Sequence, residues 1–236
     1  MEYALLQAVF LPLLLSPLAY IIGRRVGHTA ATWFTFGLLL YCTILVITAS
    51  IDGTYEEHYP WTEIFGEFGL LLDGLAAPFA IMIYVLCTIL ALYSKPYMLH
   101  KFQEFYKEQA PKTVYQSDGT TLESLSEEKF VNRQSGVYYA LFLVFAMGML
   151  GTVLATNLIE FYIFFEVMLI PAFLLVGFWG DHLRRRIALM FFFWTHVGAV
   201  ILLLGLLAIG LNVGSFDFAD INEADIPSDV VVAAAV

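Results

Sequence analysis

Charge is what this sequence has least of. Only 14% of its 236 residues are Asp, Glu, Lys or Arg, against about a quarter in a soluble domain. Basic residues are the scarcer sign: 11 Lys and Arg stand against 21 Asp and Glu, a formal net charge of −10. A nucleic-acid binder needs a basic face to meet phosphates, so that class is excluded. Cysteine is nearly absent. Cys42 and Cys87 sit inside apolar runs, with no CxxC and no Cys/His cluster. They read as small buried side chains, not as a disulfide or metal site. No Gly-rich phosphate loop, GxSxG elbow, HExxH, EF-hand loop or haem motif occurs, so no redox centre, cofactor site or catalytic nucleophile is visible in this chain. Residues 1–22 lack a basic start and a small-x-small cleavage site, and they carry Glu2. The first apolar run is therefore expected to be retained rather than removed as a signal peptide.

Apolar side chains fill the space that charge leaves. Sixty per cent of the residues are hydrophobic, 21 are Phe, and the mean hydropathy is +0.79. A soluble core of this size cannot hide so many. A spanning helix needs about 20 mostly apolar residues. Six runs qualify, at about 3–22, 30–50, 70–94, 136–156, 158–178 and 187–211. Backbone polar groups in lipid must be satisfied within the segment, so runs this long read as helices. The expected fold is all-α: a polytopic integral membrane protein with about six transmembrane helices. No internal repeat is visible.

The few cations set the expected orientation. Arg24 and Arg25 follow the first run. Lys95, Lys101, Lys107, Lys112, Lys129 and Arg133 lie around the connection between the third and fourth. Arg184, Arg185 and Arg186 lie between the fifth and sixth. These are alternate connections, hence one side of the membrane. The opposite connections carry only acids: Asp52, Glu56, Glu57, Glu63 and Glu67, then Asp217, Asp220, Glu223, Asp225 and Asp229. The positive-inside rule puts both termini outside and the basic connections in the cytoplasm. The expected division is transmembrane helices 1–3 in 1–97, a cytoplasmic polar loop in 98–135, helices 4–6 in 136–212, and an acidic external tail in 213–236. Within the loop, Lys101, Phe102, Phe105 and Tyr106 suit an amphipathic surface helix, and Ser124 or Ser126 suits a helix cap. The loop reads as a solvated connector, with docking to a cytoplasmic partner as the alternative.

Glu166 is the most informative residue. It lies in FYIFFEVMLIP, roughly 12 Å into the fifth span at 1.5 Å per residue. A carboxylate there is expensive and by default marks an ion path or proton relay. Desolvation disfavours its charged form, so small changes of environment can load and unload a proton. The plain alternative is a structural Glu paired with another helix. Pro171, five residues on, removes a helical hydrogen bond and crowds the carbonyl of Val167. A bend that hydrates Glu166 and a simple kink are both open there. His196, about ten residues into the sixth span in FFFWTHVGAV, can relay protons; a neutral His bonded to a backbone carbonyl is the alternative. Thr195 is a weaker polar candidate. Asp73 reads as an interfacial N-cap in preference to a buried ion site. Glu160 reads as shallow and interfacial, the Arg184–Arg186 cluster as a topology determinant, and the aromatic stripe in FYIFF as packing.

The stretch NLIEFYIFFEVMLIPAFLLVGFWG (157–180) resembles the fifth-helix signature of antiporter-like membrane subunits. This group holds chain M of NADH-quinone oxidoreductase, the D-type subunit of Mrp cation/proton antiporters, and membrane-bound hydrogenase relatives. RRRIALMFFFWTHVGAVILLLGLLA, DGLAAPF and SFDFADI resemble the neighbouring segments, in the same order. The resemblance implies a proton-translocating subunit of a complex I-like or related redox-driven complex. Alternatives are an Mrp-type antiporter subunit without redox coupling, or a non-transporting structural subunit. It implies that Glu166 matches the family's fifth-helix glutamate, which pairs with a lysine on a broken seventh helix. Here only the segments up to the sixth span are present, no lysine falls in a predicted membrane interior, and Met190 and Trp194 stand where many relatives have Lys and Tyr. A partner chain is therefore expected to supply that lysine, and flavin, Fe-S and quinone are expected on partner subunits. The implied location is a prokaryotic plasma membrane, with an organellar inner membrane as the alternative.

Overall fold

A computed structural model describes residues 3–51, 53–62, 65–109 and 126–224 of the chain. Lys112, Ser124, Asp225 and Asp229, with the centre of the polar loop and the end of the acidic tail, lie outside the described residues. The described chain is built from α1 (Ala4–Arg25), α2 (His28–Ile51), a hairpin of β1 (Tyr55–Thr62) and β2 (Gly66–Leu72), α3 (Ala76–Gln109), α4 (Glu127–Leu154), α5 (Leu158–Trp179), α6 (Arg184–Val213) and the short α7 (Phe218–Glu223). Six of these helices, α1 to α6, are long and apolar enough to cross a membrane. The chain is a multi-pass helical membrane protein.

Helix α4 is the pillar of the bundle, with α1, α3 and α5 packed around it and α2 closing the α1–α3 side. Small residues allow the closest approach. A Cβ on Gly136 would lie 2.6 Å from the Tyr20 carbonyl, and one on Gly23 would lie 2.5 Å from Gly136 itself, so α1 and α4 touch backbone to backbone. Lipid supplies no hydrophobic drive between helices, which leaves such close contact as a main source of association. Helix α6 packs mainly on α5, with α7 against it, at the edge of the bundle.

Three elements differ from the sequence expectation. The connection at 51–69 carries an antiparallel hairpin, paired from Tyr55↔Leu72 to Thr62↔Gly66 with an irregularity at Pro60/Thr62. Leu70 to Leu72 read as the start of a span but belong to β2; the third helix begins at Ala76. Apolar composition alone does not separate a buried strand from a helical turn. The 98–135 loop is also much shorter than expected. Helix α3 continues to Gln109, because Met98, Phe102 and Phe105 repeat at helical spacing and bury against Val131 and Trp179. The expected surface helix around Lys101–Tyr106 is thus an extension of the third span. Helix α4 starts at Glu127, where the Ser126 hydroxyl accepts the Lys129 N–H at 3.4 Å and Glu127 and Glu128 suit the positive helix end.

Candidate proton site on the fifth and sixth helices

Glu166 is the ninth residue of α5 and His196 the thirteenth of α6. Contact between the Phe173 and Phe192 rings, 4.9 Å between centroids, holds the two helices together just beyond them. His196 Nε2 lies 3.5 Å from Glu166 Oε2, an ion-pair distance at the long edge of hydrogen bonding. The two side chains are 31% and 25% exposed, so the pair sits on the rim of the described bundle. Across the ring, Nδ1 lies 3.0 Å from the Phe192 carbonyl. That oxygen only accepts, so Nδ1–H donates to it, and Nε2 is the nitrogen facing Glu166. The imidazole also lies over the Phe192 ring, 3.8 Å between centroids, which fixes its plane.

With Nδ1 committed to its own helix, Nε2 is the ring nitrogen left facing the carboxylate. Thr195 takes no part: its hydroxyl donates to the Phe191 and Phe192 carbonyls of its own helix. Helix α5 runs unbroken through Pro171, which is itself buried.

The other singled-out residues stand apart from this pair. Asp73 Oδ1 accepts the Leu75 and Ala76 N–H groups at 3.0 and 2.6 Å, so it caps α3. Asp73 also lines a wide acidic cleft of about 1270 Å³ shared with Glu56, His58, Glu67, Asp217 and Asp220. Glu160 corrects the sequence reading. In the first turn of α5 it is 1% exposed, buried rather than open to solvent, and its Oε2 accepts the Gly69 N–H at 3.2 Å. Strand β2 roofs the start of α5 and seals it from solvent, a tertiary contact that span hydropathy does not encode. Glu57, in the sequence one acid among several, has a specific task. Its two carboxylate oxygens accept the Leu5 and Leu6 N–H groups at 2.9 Å each, capping α1 from 52 and 51 residues away. Tyr59 donates to Glu57 at 2.8 Å, and burial with that carboxylate holds the Tyr59 phenol well above its ordinary value. Among the described residues no group of three His, Cys, Asp or Glu side chains is placed to hold a metal ion.

Residues 155–234, which include both Glu166 and His196, match the family described as NADH:quinone oxidoreductase/Mrp antiporter, transmembrane. The chain is similar to membrane subunits of this kind over part of their length. Subunit M of the NADH-quinone oxidoreductase of Rickettsia typhi is 30% identical over 186 residues, 78% of this chain and 31% of that protein. A Rhizobium meliloti protein named as part of a probable K(+)/H(+) antiporter is 30% identical over 196 residues, 80% of this chain and 16% of that protein. In fold, the chain superposes on a chain of respiratory complex I from Thermus thermophilus with a TM-score of 0.68 and 23% identity, over 98% of this chain and 41% of that one. The chain thus spans about a third of the length of the Rickettsia protein it matches.

Proposed function

We propose that this chain is a proton-translocating, antiporter-like subunit of a complex I-like or related ion-pumping membrane complex, with Glu166 as its protonatable centre and His196 as the group that shares the proton. The observation that carries the reading is the 3.5 Å Glu166–His196 contact inside two spanning helices. A titratable pair at that depth is costly unless it serves a path. The partly exposed rim position supports a neighbouring membrane subunit covering the pair, and a lysine from that neighbour would draw the proton off Glu166 when close and return it when withdrawn. Moving one charge against about 100 mV costs roughly 2.3 kcal/mol. Flavin, Fe-S and quinone chemistry belongs to partner subunits in this reading.

The described ends of the bundle support the orientation. Arg24, Arg25, Lys101, Lys107, Lys129, Arg133 and Arg184 to Arg186 gather at one end, while the hairpin, Asp73 and α7 form the other. The basic end would face the cytoplasm of a prokaryotic cell and the hairpin end the outside. The test is proton uptake by vesicles carrying the assembled complex. Glu166→Gln is expected to preserve assembly and abolish uptake, and normal uptake would defeat the role. A second reading, cation/proton exchange without redox coupling, draws on the Rhizobium meliloti relative. Cation exchange in vesicles free of flavin, iron–sulfur and quinone proteins would favour it.

A further inference from the structure

At the basic end of the bundle a groove of about 370 Å³ opens between α3, α4, α5 and α6, with Gln134 its contribution from α4. Its floor is Phe105 and Trp179, 5% and 6% exposed. Its deeper wall is apolar: Phe173 and Leu174 from α5, Ala188 and Leu189 from α6. Leu174 lies five residues before Trp179, so the apolar lining runs about 7 Å inward from the rim. Arg184 and Arg185 stand at the mouth.

These two cations are not used up inside the chain. Among the described residues neither forms a salt bridge within 4.0 Å. The Arg184 guanidinium lies over the Phe105 ring at 4.3 Å, which fixes its place without cancelling its charge. The nearby Asp181 carboxylate faces Lys101 at 3.8 Å instead. Nor do the arginines serve their own helix, since cations in a first turn oppose the helix dipole. A topology signal explains their sign but not the apolar slot beneath them.

We propose that this groove binds one anionic phospholipid, with its phosphate on Arg184 and Arg185 and an acyl chain against Phe173, Leu174 and Leu189. An anionic head over a hydrocarbon tail matches a cationic rim over an apolar wall, and basic pockets between spanning helices recognise such head groups. A soluble anion leaves the wall uncovered. A zwitterionic lipid brings its own ammonium against two guanidiniums. The assignment stands independently of whether Glu166 carries protons.

Trp179 reports on the groove directly. In a W33F/W61F/W194F background it is the only tryptophan, and bilayer discs of phosphatidylcholine can be doped with brominated phosphatidylglycerol or brominated phosphatidylcholine. Two surface cations predict half-quenching at an about thirtyfold lower mole fraction of the anionic lipid. R184Q/R185Q is expected to erase that preference, and R185Q alone to cut it about fivefold. Arg185 is exposed, so R185Q decides the matter even if the double variant does not fold. Equal quenching by both lipids, or a preference that survives R184Q/R185Q, would overturn the assignment. So would relief of quenching by inorganic phosphate, which would make the site one for a free anion. Phosphate without effect supports a lipid.

Discussion

The α1–α4 core and the α5–α6 rim of this bundle treat polar side chains in opposite ways. In the core, buried polar groups are closed off by partners within reach. His28 bonds Ser135 at 2.7 Å and the Lys95 carbonyl at 2.8 Å, Thr32 meets Tyr139 at 2.7 Å, Thr43 meets Thr88 at 3.0 Å, and Tyr84 donates to the Ala8 carbonyl at 2.6 Å. Ser94 and Tyr138 pair likewise at 2.8 Å. The Thr35 hydroxyl on α2 is an exception, buried without a hydrogen-bond partner, and it is not a group that titrates. The paired groups spend their hydrogen-bonding capacity on one another inside the bundle. At the rim, Glu166 and His196 face each other at 3.5 Å and are partly exposed. A fully satisfied polar network rigidifies the core around it.

The contrast can be broken from the core side first. Gly136→Val puts side-chain carbons where the Tyr20 carbonyl stands 2.6 Å from a Cβ, and backbone cannot give way cheaply. It should cost about 3 kcal/mol or more and reduce the yield of folded protein in membranes, read by thermal unfolding in detergent. Gly198→Ala on α6 is the matched control: nothing lies within 4 Å of its Cβ, so stability should hold or rise slightly. A smaller effect is expected where the hairpin grips α1. Glu57→Ala removes the acceptors of the Leu5 and Leu6 amides and should cost about 1–3 kcal/mol, seen as faster hydrogen exchange at those two amides while α5 and α6 are unchanged. Smallest is Asp73→Ala, the loss of one N-cap, at about 1 kcal/mol with local fraying of α3.

Much of the rim is legible in the sequence alone. Glu166 announces itself because an acid in a long apolar run has no local explanation, and His196 for the same reason. Six spans are legible because the apolar runs are long. Their ends are not. Residues 98–109 and 127–135 extend α3 and α4 with amphipathic turns whose polar faces lower the hydropathy below that of a span. The hairpin is hidden because Leu70 to Leu72 merge into the apolar run that follows. Glu57 and Glu160 escape a sequence reading for one shared reason. Each is defined by a partner far along the chain, Leu5 and Leu6 for one and Gly69 for the other. No local pattern marks such a pairing. The 3.5 Å contact itself is also tertiary, set by how α5 packs on α6.

The central claim is that Glu166 and His196 act as one proton-holding unit. Proton uptake should be measured in vesicles carrying the complex with E166D, H196Q and E166D/H196Q, because E166D keeps a carboxyl and with it a measurable residual rate. Groups that work as a unit give non-additive losses, so the double variant should be no slower than the worse single one. Losses that multiply, or an H196Q variant as fast as the parent, would contradict it.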